Sequence, residues 1–139
     1  IIVIDIGTND LSRPSNSTPT QLADHVVDLA LQLLSYGARF VVICEILPRY
    51  GSAFSGMVVS GPSFATAIDQ YNEHCLDRCQ DNSQLKFWRH HRIVPGTLSI
   101  PGVVPDTFAP DGVHLSNHGL KRYWQSIRGA LIHAQQSFD

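Results

Sequence analysis

The chain is poor in sulfur and in charge. Cysteine occurs three times, an odd number and too few for the disulfide frameworks of small secreted domains, and compatible with a reducing compartment. Lys+Arg 10 against Asp+Glu 12 leaves a formal net charge of -2, so no global field draws the chain to nucleic acid or an anionic membrane. No apolar stretch approaches the roughly 20 residues that span a bilayer, the longest being broken by Asp28, Gln32 or Glu45. Membrane insertion is therefore not expected. Ile1 to Ile6 is apolar but has neither a basic flank nor a small-residue cleavage site, so it does not read as a signal peptide. The expectation is a soluble protein with its compartment open and the cytoplasm favoured. Repeats and low-complexity tracts are missing too, and no Gly-x-Ser-x-Gly nucleophile elbow occurs.

What is present is the composition of one globular domain: 139 residues, 43% hydrophobic and 16% charged. Ile1 to Ile6, closed by Gly7, and Phe40 to Cys44 are nearly continuous apolar runs, the pattern of parallel strands buried on both faces. Leu85 to Trp88 is a third, shorter strand. Between them, Leu22, Val26, Leu29, Ala30, Leu33 and Leu34 recur at helical spacing over Thr20 to Tyr36, ahead of Gly37. A second helix runs from an N-cap at Ser63 to about Cys79, its stripe being Phe64, Ala67, Ile68, Tyr71, Cys75 and Leu76. A third runs from an N-cap at Ser116 to about Gln135, with Leu120, Tyr123, Trp124, Ile127, Leu131 and Ile132 apolar. Tyr50 to Pro62 and Ile93 to Pro110 read as loops. Alternating strands and helices predict an α/β fold of three layers with a parallel sheet.

Two short motifs can carry chemistry. Gly7-Thr8-Asn9-Asp10 follows the first strand, where Gly7 permits a tight turn, Asn9 can aim an amide N–H into a cleft, and Asp10 can tie the loop to the backbone after it. An Asn so placed suits an oxyanion; the same residues also make ordinary strand-ending turns. Asp111-Gly112-Val113-His114 leads into the last helix. There Asp111 can accept from Nδ1 of His114 and leave Nε2 outward as a base, or the pair can simply form an N-terminal box for the helix.

The ordered combination of Gly-x-Asn-Asp after an early strand and Asp-x-x-His before a C-terminal helix resembles the SGNH or GDSL hydrolases. The resemblance implies a flavodoxin-like sheet, esterase chemistry on acyl or acetyl esters without metal or organic cofactor, Asn9 as an oxyanion donor, and Asp111 and His114 as acid and base members of a Ser-His-Asp triad. Val41 to Arg49, Phe87 to His90 and Ser116 to Leu131 are similar to SGNH domains of invertebrate and retroelement-derived proteins. In that family the nucleophile stands in a Gly-Asp-Ser motif after the first strand, upstream of Gly-x-Asn-Asp. The resemblance therefore makes residues 1–139 a single SGNH-type domain that lacks its first strands and its nucleophile segment. Ile1 to Ile6 is then expected to expose an apolar edge open to self-association. The alternative is a non-catalytic remnant kept as a binding or assembly module.

No other residue is assigned as nucleophile. Ser12, Ser15, Ser17, Ser52, Ser55, Ser60 and Ser63 read as turn or cap residues. Cys75 and Cys79 with His74 lack a second ligand pair and read as buried helix cysteines, so no metal is expected. Lys86, Arg89, His90, His91 and Arg92, interleaved with Phe87 and Trp88, could meet phosphates and bases, yet read first as a solvated strand end, and nucleic acid is not the expected partner. Glu45 and Arg49 either line the cleft or pair with each other.

Overall fold

A computed structural model describes residues 1–12, 17–50, 63–95 and 103–138. Three strands, β1 (Ile2–Ile4), β2 (Val41–Cys44) and β3 (Leu85–Trp88), form a parallel sheet in the order β1-β2-β3. Around it lie α1 (Thr8–Leu11), α2 (Pro19–Ser35), α3 (Phe64–Cys79) and α4 (Asn117–Gln136). Strand side chains alternate between faces, and the two faces receive different helices. Ile4, Val41, Ile43, Leu85 and Phe87 pack with α2 and α3, while Val42 and Cys44 pack with Ile127, Ala130 and Ala134 of α4. The result is a flavodoxin-like α/β/α arrangement, as the alternation of strands and helices predicts. Every residue of β2 is buried, which is why its sequence carries no polar position.

Local chemistry sets the helix ends. Ser63 and Ser116 accept from the backbone N–H of Thr66 and Gly119, as N-cap hydroxyls do. Helix α2 starts one residue before the predicted Thr20, because Thr18 and Gln21 form a reciprocal capping box around Pro19. Asn72 on α3 is buried and closes the chain leaving β2, donating from Nδ2 to the Ile46 carbonyl and accepting the Ile46 N–H.

Three expectations need correction. The first strand is Ile2–Ile4, not Ile1 to Ile6; only Ile4 in that run is buried, and Ile1 and Ile6 are exposed. Gly7 to Asp10 is not simply a turn, because Leu11 donates to the Gly7 carbonyl and Thr8–Leu11 closes one helical turn. The buried face of α4 is Gly119, Ser126, Ile127, Ala130 and Ala134, whereas Leu120, Trp124, Leu131 and Ile132 are exposed. Small residues let α4 lie close to the sheet, and close approach outweighs the size of the side chains on the other face. The same shift occurs in α2, which buries Ala23, Val26, Val27 and Ala30 and exposes Leu29. Both remain amphipathic, rotated from the predicted stripe.

Candidate active site

Residues 105–116, ahead of α4, fold back on themselves as a small hairpin. Ser116 N–H donates to the Thr107 carbonyl, Ala109 N–H to the His114 carbonyl, and Phe108 bridges Leu115. Thr107, buried, anchors the base of the hairpin through its hydroxyl to the Ile93 carbonyl. At the tip, Asp111 Oδ1 accepts the backbone N–H groups of Val113 and His114, and Oδ2 lies 2.5 Å from His114 Nδ1. The carboxylate thus turns the chain and orients the imidazole at once. With Nδ1 occupied, Nε2 faces outward on a side chain that is 80% exposed.

Hydrogen bonds from His114 and the two backbone amides hold the Asp111 carboxyl down at about 2. A carboxyl lowered on folding contributes its stability above its unfolded value and loses it as pH falls through the folded one. The stability that the Asp111 contacts contribute is therefore present through the neutral and mildly acidic range and is lost as pH falls from the ordinary carboxyl value of 3.8 to about 2.

The Gly7 motif is built differently. Gly7 has φ 111°, and a Cβ there would sit 3.0 Å from Ile46 Cδ1, so the turn into α1 requires glycine. Arg49 Nη2 donates to Thr8 Oγ1 at 3.2 Å and to Asn9 Oδ1 at 3.4 Å. With its carbonyl oxygen so engaged, Asn9 keeps its amide N–H groups as donors. Among the described residues the loop is tied by the Ser12 hydroxyl donating to the Asn9 carbonyl.

The structure joins Asp111 to His114, and it joins neither to Asn9 by any hydrogen bond or ion pair among the described residues. What spans the two motifs is the segment after β2. Arg49 reaches Thr8 and Asn9, while the next residue, Tyr50, donates its N–H to the Gly112 carbonyl at 2.9 Å and sets its ring against Phe108. The sequence puts Arg49 either at the cleft or on Glu45 and does not single out Tyr50; the signal for both is their position directly after the strand and Pro48. Glu45 and Arg49 do not pair. Glu45 accepts the His90 N–H and faces Arg89 at 3.6 Å, and burial raises its pKa.

The remaining sequence candidates are accounted for locally. Arg89 is neutralised by Glu73 and Glu45, and His90 is buried, so the Lys86 to Arg92 run is not one continuous basic face. Cys75 and Cys79 are buried free cysteines, and His74 pairs with Asp24. Ser63 is a cap and Ser12 a turn residue; Ser15, Ser52, Ser55 and Ser60 lie outside the described residues. No helix among the described residues is long and apolar enough to cross a membrane.

No family model matches this sequence, and no curated protein matches it. Among solved structures the chain is similar to one described as "a putative platelet activating factor from Streptococcus pneumonia", with a TM-score of 0.69 at 17% identity over 93% of this chain. The chain spans 58% of the length of that structure. The likeness is one of fold, an α/β/α layer arrangement.

Proposed function

We propose that this chain is the base-and-oxyanion part of an SGNH-type ester hydrolase, whose nucleophilic serine is supplied from outside residues 1–139. The observation that supports this most is the Asp111–His114 pair at 2.5 Å with Nε2 left outward, the geometry a general base needs. In this reading a serine attacks an acyl or acetyl ester, His114 takes its proton at Nε2, and Asp111 fixes the tautomer and steadies the imidazolium. Asn9, held by Arg49 through its carbonyl, donates its amide N–H to the developing oxyanion, and Gly7, Thr8 and Asp10 form the loop that presents it. The substrate is a small-molecule ester, and no metal or organic cofactor enters these steps.

The edge of the sheet at β1 supports this reading. β1 pairs only with β2 among the described strands, and in a flavodoxin-like order 2-1-3-4-5 the strand that carries the nucleophile lies beside the third. A further strand on the free edge of β1 would end next to Gly7. Without it, that edge is a site for self-association.

The test is hydrolysis of a short-chain nitrophenyl ester by the protein that includes the sequence encoded upstream of Ile1, compared with its His114→Ala variant. Hydrolysis that falls to background in the folded variant is the expected outcome. Equal rates would contradict the reading and leave a non-catalytic module.

A further inference from the structure

Beyond the hydrolase reading, a second cluster of chemically capable side chains lies beneath α4. Val3, Val42 and Trp88 face α4, and because strand side chains alternate, the residues two positions further on, Asp5, Cys44 and His90, face it as well. They stand side by side at the carboxyl ends of the three strands. One ligand atom from each, a carboxylate oxygen, Sγ and an imidazole nitrogen, lies within 4.8 Å of the others. Their sequence separation spreads them over three strand ends, which is why no local motif announces them.

Neighbouring side chains of α4 engage Asp5 and His90. Tyr123 O–H donates to Asp5 Oδ2 at 2.7 Å and leaves Oδ1 available. Ser126 Oγ accepts the Trp88 indole N–H at 2.9 Å and lies 3.0 Å from His90 Nδ1. Its second lone pair can accept Nδ1–H, which makes Nε2 the lone-pair nitrogen. That Nε2 belongs to a side chain 93% buried and has no hydrogen-bond partner among the described residues. Buried polar nitrogens are almost always satisfied, so an unpaired one on a histidine grouped with a thiol and a carboxylate points to a ligand. Cys44 is buried, whereas Asp5 is exposed, giving the cluster an opening to solvent on the Asp5 side.

We propose that Asp5, Cys44 and His90 form a binding site for a divalent cation of the zinc class. Sulfur and imidazole donors with a single carboxylate select a borderline-soft ion over calcium or magnesium, which ask for oxygen alone. Three protein ligands leave a fourth position open on a tetrahedral ion. Donor atoms bound to one such ion stand about 3.5 Å apart, so the cluster closes with small side-chain movements. The proton balance is simple: Cys44 S–H and the cation give the thiolate–metal bond and one proton released to solvent.

Cobalt(II), added to the purified 139-residue chain, reports thiolate ligation by a sulfur-to-metal charge-transfer band and four-coordination by its visible bands. One equivalent is expected to produce both, and zinc to displace them. Cys44→Ser removes the charge-transfer band, and the Cys75→Ala/Cys79→Ala double variant keeps it. Asp5→Asn, at an exposed position that leaves the core intact, weakens binding by at least about 10–100-fold, the loss that even a change outside the ligand set produces. Circular dichroism confirms that each variant is folded. A wild-type chain that shows no thiolate band with cobalt, a band that survives Cys44→Ser, or affinity unchanged in Asp5→Asn would each overturn the site.

Discussion

Replacing Asp111 with Asn is expected to lower kcat for ester hydrolysis about ten-thousand-fold in the protein that carries its serine, the size of loss seen when a triad aspartate becomes an amide. The cause is the tautomer. Asp111 accepts from His114 Nδ1 at 2.5 Å and from two backbone N–H groups, and an amide can keep the backbone contacts through its oxygen while its NH2 turns toward Nδ1. Nδ1 then becomes the acceptor and the proton moves to Nε2, where the base should be. KM changes little, because the carboxylate touches no substrate, so the loss falls on kcat and on kcat/KM alike. A variant with wild-type kcat would show that Asp111 serves the turn alone, as the N-terminal box reading has it.

The second large effect is structural and falls between those two residues. Gly112 has φ 68°, and a Cβ built there would lie 2.0 Å from the Tyr50 carbonyl oxygen, a backbone atom that cannot rotate away. Gly112→Ala combines left-handed strain of roughly 1–2 kcal/mol with overpacking of about 1–3 kcal/mol, for an expected loss of about 2–5 kcal/mol. Gly37→Ala is the control: its φ is 103° but nothing lies within 4 Å of the added carbon, so only the backbone strain applies. Urea unfolding should show a clearly lower midpoint for Gly112→Ala than for Gly37→Ala at similar slope. Equal midpoints would mean that Tyr50 and the Asp111 turn do not meet closely. Because Tyr50 follows Arg49, the same substitution separates the turn from the segment that holds Asn9, and activity falls with stability.

Much of this was legible in the residues. β2 and β3 could be read because continuous or alternating apolar runs bounded by turns have few other uses, and Ser63 and Ser116 announced their helices as caps. The Asp111–His114 pair was legible because its two members are three residues apart, so local geometry alone brings them together. Contacts between distant segments were not. Arg49 with Asn9, Tyr50 with Gly112, and Asp5 with Cys44 and His90 depend on which strand ends become neighbours, information that no local window contains. The helix faces were misread for a related reason: large apolar side chains mark an amphipathic stripe, but Gly119, Ser126, Ala130 and Ala134 show that the closest approach is made by the smallest residues.

The most direct measurement of the central claim is to find which serine a nitrophenyl phosphonate, an irreversible label for triad serines, modifies in the protein that includes the sequence encoded upstream of Ile1. The account predicts one labelled serine preceding Ile1, with labelling abolished in His114→Ala. A label on a serine within residues 1–139, or labelling that persists without His114, would contradict it.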